Sequence, residues 1–183
     1  MLPLDLALKL ATDQDRDFLL RVYGSTREEE LRPTGWTVDQ CDSFVRMQYQ
    51  AQSQHYWQHY PDSLCYLITQ DGEQGLRQLG RLWLDSRPSS LHVLDISLLA
   101  EARGQGIGTA LLQSLMENCR EQGKDLSIFV ELHNPARRLY ERLGFEAQGE
   151  AQGLYQFMVW RQAAVPAGSN RRQFQGPQGA VIH

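Results

Sequence analysis

The sequence predicts an α+β domain over residues 1–160 followed by a separate tail over 161–183. Three observations carry this reading. Apolar residues switch between a period of two and helical spacing in the order β-α-α-β-β-β-α-β-α-β-β. The strand patterns at 64–69, 80–85 and 92–99 follow one another with only turns between them, which opposes a parallel sheet wound through crossover helices. Beyond Trp160 the composition shifts to Gln, Gly, Pro and Arg, so 161–183 reads as a mobile tail.

Each element has a local reason. Leu6, Leu8 and Leu10 alternate with Asp5, Ala7 and Lys9, a strand with one buried face. Thr12 is an N-cap with Asp13 and Asp15 in the first turn, and helical spacing runs through Phe18, Leu19, Val22 and Tyr23 until Gly24 stops it. Thr37 and Gln40 have capping-box spacing and open a long helix toward His59. Leu64 to Ile68 is an apolar strand, Asp71-Gly72 a turn, and Gly80 to Asp85 the next strand. His92 to Leu99 is a fourth strand, interrupted only by Asp95 and Ser97. A glycine-rich turn leads to a helix from Gly106 to about Gln122, ended by Gly123. Leu126 to Glu131 is a fifth strand. Asn134 caps a short helix with Pro135 at its first position and Gly144 after its end. Phe145 to Gln148 and Leu154 to Trp160 are the last strands.

Composition narrows the function classes. Hydrophobic residues make up 42% and charged residues 22%, a globular balance, and no apolar run reaches the roughly 18 residues a membrane span needs. Residues Met1 to Asp5 have no basic stretch ahead of an apolar one, so no signal peptide is expected. Cys41, Cys65 and Cys119 are odd in number and widely spaced, which suits free thiols in a cytoplasmic setting and no metal site. His55 and His59 are four apart but lack a third ligand. Arg161, Arg171 and Arg172, with no acid beside them, put +3 on 161–183; a net charge of -4 for the chain then leaves -7 on 1–160. A body that acidic is not a nucleic-acid binder and would attract a cationic substrate such as an amine.

The chemistry concentrates in Arg103-Gly104-Gln105-Gly106-Ile107-Gly108-Thr109, between an apolar strand and an amphipathic helix. Such a turn presents backbone N–H groups at a helix N-terminus, and the missing side chains let a phosphate approach them. No lysine precedes Thr109, which excludes a Walker loop, and Thr109 stands where the dinucleotide fingerprint needs its third glycine. What fits is Arg/Gln-x-x-Gly-x-Gly/Ala at 103–108, which resembles the acetyl-CoA motif of the GCN5-related N-acetyltransferases (GNAT). The segment Asn134 to Phe145, with Leu139-Tyr140 and Gly144-Phe145, looks like that family's Asn…Leu-Tyr-x-x-x-Gly-Phe block. The order of elements over 5–160 is also similar to the family's.

The resemblance implies a mixed central sheet splayed between strands four and five, with helices on both faces. It implies acetyl-CoA as co-substrate, its pyrophosphate on the backbone of Arg103, Gly104, Gln105, Gly106, Ile107, Gly108 and Thr109, its pantetheine along Ile96, Leu98 and Leu99, and a contact from Asn134. Tyr140 would be the general acid to the departing thiolate. Ala100 stands where the family often has proline, and the Asn134-to-Tyr140 spacing is one residue shorter than in many members. Homodimers are common in the family.

Attack on a thioester needs a neutral amine, hence a base. His92 and Asp95 in the fourth strand and Glu131 at the end of the fifth are the candidates, each with a plain structural alternative. Acceptor specificity would lie in Ser25 to Pro61, where Glu28 to Glu30 mix with Trp36, Tyr49, Tyr56, Trp57 and Tyr60. The acceptor would be the primary amine of a small molecule or a peptide. The alternative on the same fold is a non-catalytic acyl-CoA-binding or regulatory module.

Overall fold

A computed structural model describes residues 6–72 and 75–162. The tail from 163 onward, and with it most of the predicted second segment, lies outside the described residues. The strands are β1 (Leu6–Leu10), β2 (Leu64–Gly72), β3 (Gly75–Ser86), β4 (Ser90–Leu98), β5 (Asp125–Glu131), β6 (Glu146–Ala147) and β7 (Tyr155–Trp160). The helices are α1 (Arg16–Ser25), α2 (Glu28–Leu31), α3 (Val38–His59), α4 (Ile107–Gln122) and α5 (Arg137–Arg142). The strands form one sheet in the order β1-β2-β3-β4-β5-β7-β6, in which only β4 and β5 run parallel. Three hairpin-linked strands in the middle explain why no crossover pattern was present at 64–99.

Alternation in β3 divides the two faces. Leu82 and Leu84 join Leu111, Leu112, Leu115 and Met116 of α4 and Tyr140 and Phe145 near α5 in one core. Arg81 and Trp83 point the other way, toward α1 and α3, where Tyr56 meets Trp83 edge-on at 4.9 Å. The capping box that opens α3 is formed: Gln40 N donates to Thr37 Oγ1 at 3.3 Å and Thr37 N to Gln40 Oε1 at 2.9 Å.

Two boundaries differ from expectation. Gly24 does not end α1, which continues to Ser25; an added Cβ there would meet Val45 Cγ1 at 3.4 Å, so the glycine serves the packing of α1 on α3. Asn134-Pro135 does not open α5. The Asn134 side chain accepts from Ala136 N at 2.9 Å, a local turn that delays the helix to Arg137. In β3, Gly80 is required by close approach, because a Cβ would collide with the Ser97 carbonyl oxygen of β4.

Candidate active site

β4 and β5 start side by side and then part. They pair over Ser90–Val93 and Asp125–Ile128, after which each runs on without pairing the other. A bulge in β4 marks the divergence: Val93 faces Leu84 and Asp95 faces Trp83, leaving Leu94 without a cross-strand partner. The Leu94 carbonyl instead accepts from the Tyr56 hydroxyl at 2.9 Å. Between the parted strands lies a cavity of about 740 Å³, of the size that holds a small-molecule ligand. Leu94 to Leu98 form one wall and Ile128 to Glu131 the other, with contributions from Arg103, Gly108, Tyr140 and Tyr155.

At the α4 end the chain turns through Gly104 (φ 73°) and Gly106 (φ 78°), backbone conformations that favour glycine. The first hydrogen bond into α4 runs from Ala110 N to the Gly106 carbonyl, so the amides of Ile107, Gly108 and Thr109 have no intrahelical partner. Gly108 has no unusual φ, and a Cβ built on it, as on Gly104 and Gly106, would meet no protein atom within 4 Å. Protein packing therefore does not explain Gly108, which lies beside open space at a helix N-terminus, a setting that favours anions.

Several residues singled out in the sequence line the cleft: Asp95, Ile96, Leu98, Arg103, Gly108, Asn134 and Tyr140. Leu99 N donates to Leu79 O at 2.9 Å, so that amide is spent on β3 and Leu99 is no part of the cleft edge. Alternation along β4 then turns the Ile96 and Leu98 amides toward the cleft. Arg103 is committed as well. Its Nε donates to Leu98 O at 3.0 Å and its Nη2 to Ser25 O and Oγ at 3.0 and 2.7 Å, tying β4 to the end of α1. Gln105 Nε2 donates to Glu101 O at 2.6 Å, bracing the glycine turn.

The expected base His92 is not in the cleft. It is 5% exposed, with Nδ1 2.8 Å from Ser127 Oγ, among Tyr60, Phe129 and Phe157. Burial, aided by the charge of Arg87, pushes its pKa down to about 4. Tyr140 and Asp95 do come together: burial, with the Asp95 charge adding to it, pushes the Tyr140 pKa up to about 12. Glu131 lines the same cavity and accepts from the Tyr155 hydroxyl at 3.2 Å. Among the described residues, no group of three or more His, Cys, Asp or Glu side chains is placed to hold a metal.

Residues 28–145 match the model of the acetyltransferase (GNAT) family. The chain belongs to that family. This GNAT chain is 40% identical over 58 residues to an N-alpha-acetyltransferase of Sulfurisphaera tokodaii, covering 30% of this chain and 35% of that protein. It is 29% identical over 102 residues to human N-acetyltransferase 8B, covering 52% of this chain and 43% of that one. It thus spans less than half the length of these curated relatives. The PaiA N-acetyltransferase of Thermoplasma acidophilum, solved with coenzyme A, has the same fold with a TM-score of 0.63, 16% identity, and coverage of 87% of this chain and 100% of that one. An acetyltransferase from Thermus thermophilus gives a TM-score of 0.59 at 20% identity, covering 87% and 99%. The splayed parallel pair of this GNAT chain is the feature its motifs anticipate; Gln52 and Tyr155 line the cleft, and Arg81 bonds to Asp95 and Gln52 from behind it, at positions the motifs do not reach.

Proposed function

We propose that this protein transfers the acetyl group of acetyl-CoA to the primary amine of a small molecule or peptide by direct attack. The observation that carries this is the joining, in one cleft, of an open glycine cradle at the α4 N-terminus with Tyr140 and Asp95 beyond it. Acetyl-CoA supplies the acetyl thioester. The amides of Ile107, Gly108 and Thr109 would hold its pyrophosphate, and the edge amides of Ile96 and Leu98 its pantetheine arm, as an added strand is held.

Tyr140 carries a proton throughout the neutral range, because its pKa is near 12. It is thus equipped to act as the general acid, donating a hydrogen bond from Oη to the sulfur as the C–S bond breaks; full transfer to a thiolate of ordinary pKa near 8.5 would be uphill, so the CoA thiolate leaves and the tyrosine keeps its proton. Asp95 faces the same space with its oxygens fixed by Arg81 and Ser97, and receives the incoming ammonium and its proton. His92, sealed outside the cleft, is assigned no step. Cys65 and Cys119 have thiols pushed up to about 11 by burial, so neither supports an acyl-enzyme route.

The test is thermal unfolding with and without acetyl-CoA, then CoA release with a panel of amines. Acetyl-CoA at about 100 times its dissociation constant should add about 2.7 kcal/mol, a rise of roughly 5–10 °C, absent with ATP or NAD. Tyr140→Phe should lower kcat about 100-fold while acetyl-CoA affinity stays within about twofold. No thermal shift at millimolar acetyl-CoA, or full turnover in Tyr140→Phe, would overturn the assignment.

A further inference from the structure

Among the described residues, Arg81 is the largest fully buried side chain, at 1% exposure, on a strand whose other buried positions are apolar or glycine except Asp85. A guanidinium placed there is costly unless each donor is met. Its Nε donates to Asp95 Oδ2 at 2.7 Å and its Nη2 to Gln52 Oε1 at 2.5 Å, while its plane lies 5.5 Å from the Tyr23 ring centroid and 5.7 Å from that of Tyr49. Its third nitrogen, Nη1, is buried without a hydrogen-bond partner. Arg81 does not line the cleft, yet Asp95, Gln52 and Tyr23 all do, and they come from β4, α3 and α1. One buried cation thus gathers cleft residues from three elements.

The hydrogen-bond chemistry fixes what those residues offer. Arginine has donors only, so the Gln52 atom against Nη2 is the oxygen, and the group left to a ligand is the amide NH₂. Asp95 takes Nε on one oxygen and the Ser97 hydroxyl across both, at 3.1 and 3.0 Å, so the carboxylate is held in one orientation. The cleft floor therefore pairs a fixed acceptor with a fixed donor.

We infer that Arg81 is a positioning residue for the acetyl acceptor, and that the Asp95 and Gln52 pair it holds selects an amine bearing a nearby carbonyl oxygen, as in an amino-acid amide or a peptide N-terminus. The amine meets the Asp95 carboxylate and the carbonyl meets the Gln52 NH₂. The inference rests on the acetyltransferase reading above.

The experiment measures kcat/KM of the full chain for alaninamide and for propylamine, with acetyl-CoA binding followed by calorimetry. Alaninamide and propylamine differ in basicity, but that difference is the same in every variant and cancels when the ratio of the two is compared. Gln52→Leu leaves the Arg81–Asp95 pair intact, and Arg81→Lys keeps the charge but not the two-pronged grip. Both should lower the alaninamide-to-propylamine ratio at least tenfold, chiefly through the alaninamide KM, with acetyl-CoA affinity within twofold of wild type. A purely structural arginine would instead let Arg81→Lys change stability and leave the ratio alone. A ratio within twofold of wild type in both variants, or wild-type protein that acetylates propylamine but not alaninamide, overturns the inference. Wild-type protein that binds acetyl-CoA but acetylates no amine overturns the reading beneath it, and the inference with it.

Discussion

An imidazole enclosed by Tyr60, Phe129 and Phe157 is favoured in its neutral form, and the pKa of His92 accordingly falls to about 4. In the unfolded chain it titrates near 6.5. Between those values the unfolded chain binds a proton that the folded chain does not, so stability rises with pH across that window and is lost as pH falls from 6.5 toward 4, by about 3 kcal/mol in full. Urea unfolding at pH 7, 6, 5 and 4 should show this slope, and His92→Phe should flatten it; an unchanged slope in the variant would mean that other groups carry the acid sensitivity. By sequence His92 was a candidate because it starts the fourth strand, where some members of the family carry a Glu or His base. What the strand pattern could not show is its enclosure by Tyr60, 32 positions back, and Phe157, far ahead. Asp95 left a clearer trace. A carboxylate inside an apolar strand asks for a partner, and Arg81 of the adjacent strand, 2.7 Å away, supplies it.

At the scale of elements, glycines separate what the fold needs from what a ligand needs. Gly80→Ala would drive a Cβ into the Ser97 carbonyl and close on Leu98, so β3 and β4 must move apart; a loss of about 2–4 kcal/mol is expected by urea unfolding. Gly108→Ala is the opposite case. Its helical backbone and open surroundings should leave stability unchanged or raised by up to about 1 kcal/mol. Acetyl-CoA affinity, measured by calorimetry, should nevertheless fall at least about tenfold because the methyl occupies ligand space. Stability and affinity that drop together would mean that Gly108 serves the helix instead. The glycine turn was legible because local backbone demands write themselves into local sequence. The bulge at Leu94 was not, since it depends on which residue of β3 faces which residue of β4. That single extra residue puts His92, Asp95 and Ser97 opposite Asp85, Trp83 and Arg81, all on the α1 and α3 side.

Over the whole molecule, the α+β class and the order of elements were legible in hydrophobic period and in hairpins, because neighbours in the chain are neighbours in the sheet for β2, β3 and β4, whereas the placing of β7 between β5 and β6 was not. The acceptor side was less legible. Its contacts join Gln52 to Arg81, Tyr56 to Leu94 and Tyr155 to Glu131 across 29, 38 and 24 positions, separations that no local pattern encodes. No helix among the described residues is long and apolar enough to cross a membrane.

The parting of β4 from β5 leaves the sheet continuous through only four residue pairs at its centre. Mechanically it is two half-sheets joined at one end, with an unpaired edge facing inward where most proteins would have none. A bound pantetheine arm would act as the missing stitch. Amide exchange at Ile96 and Leu98 should therefore slow markedly with acetyl-CoA, while amides in β2 change little. If so, the substrate that brings the acetyl group also completes the sheet that receives it.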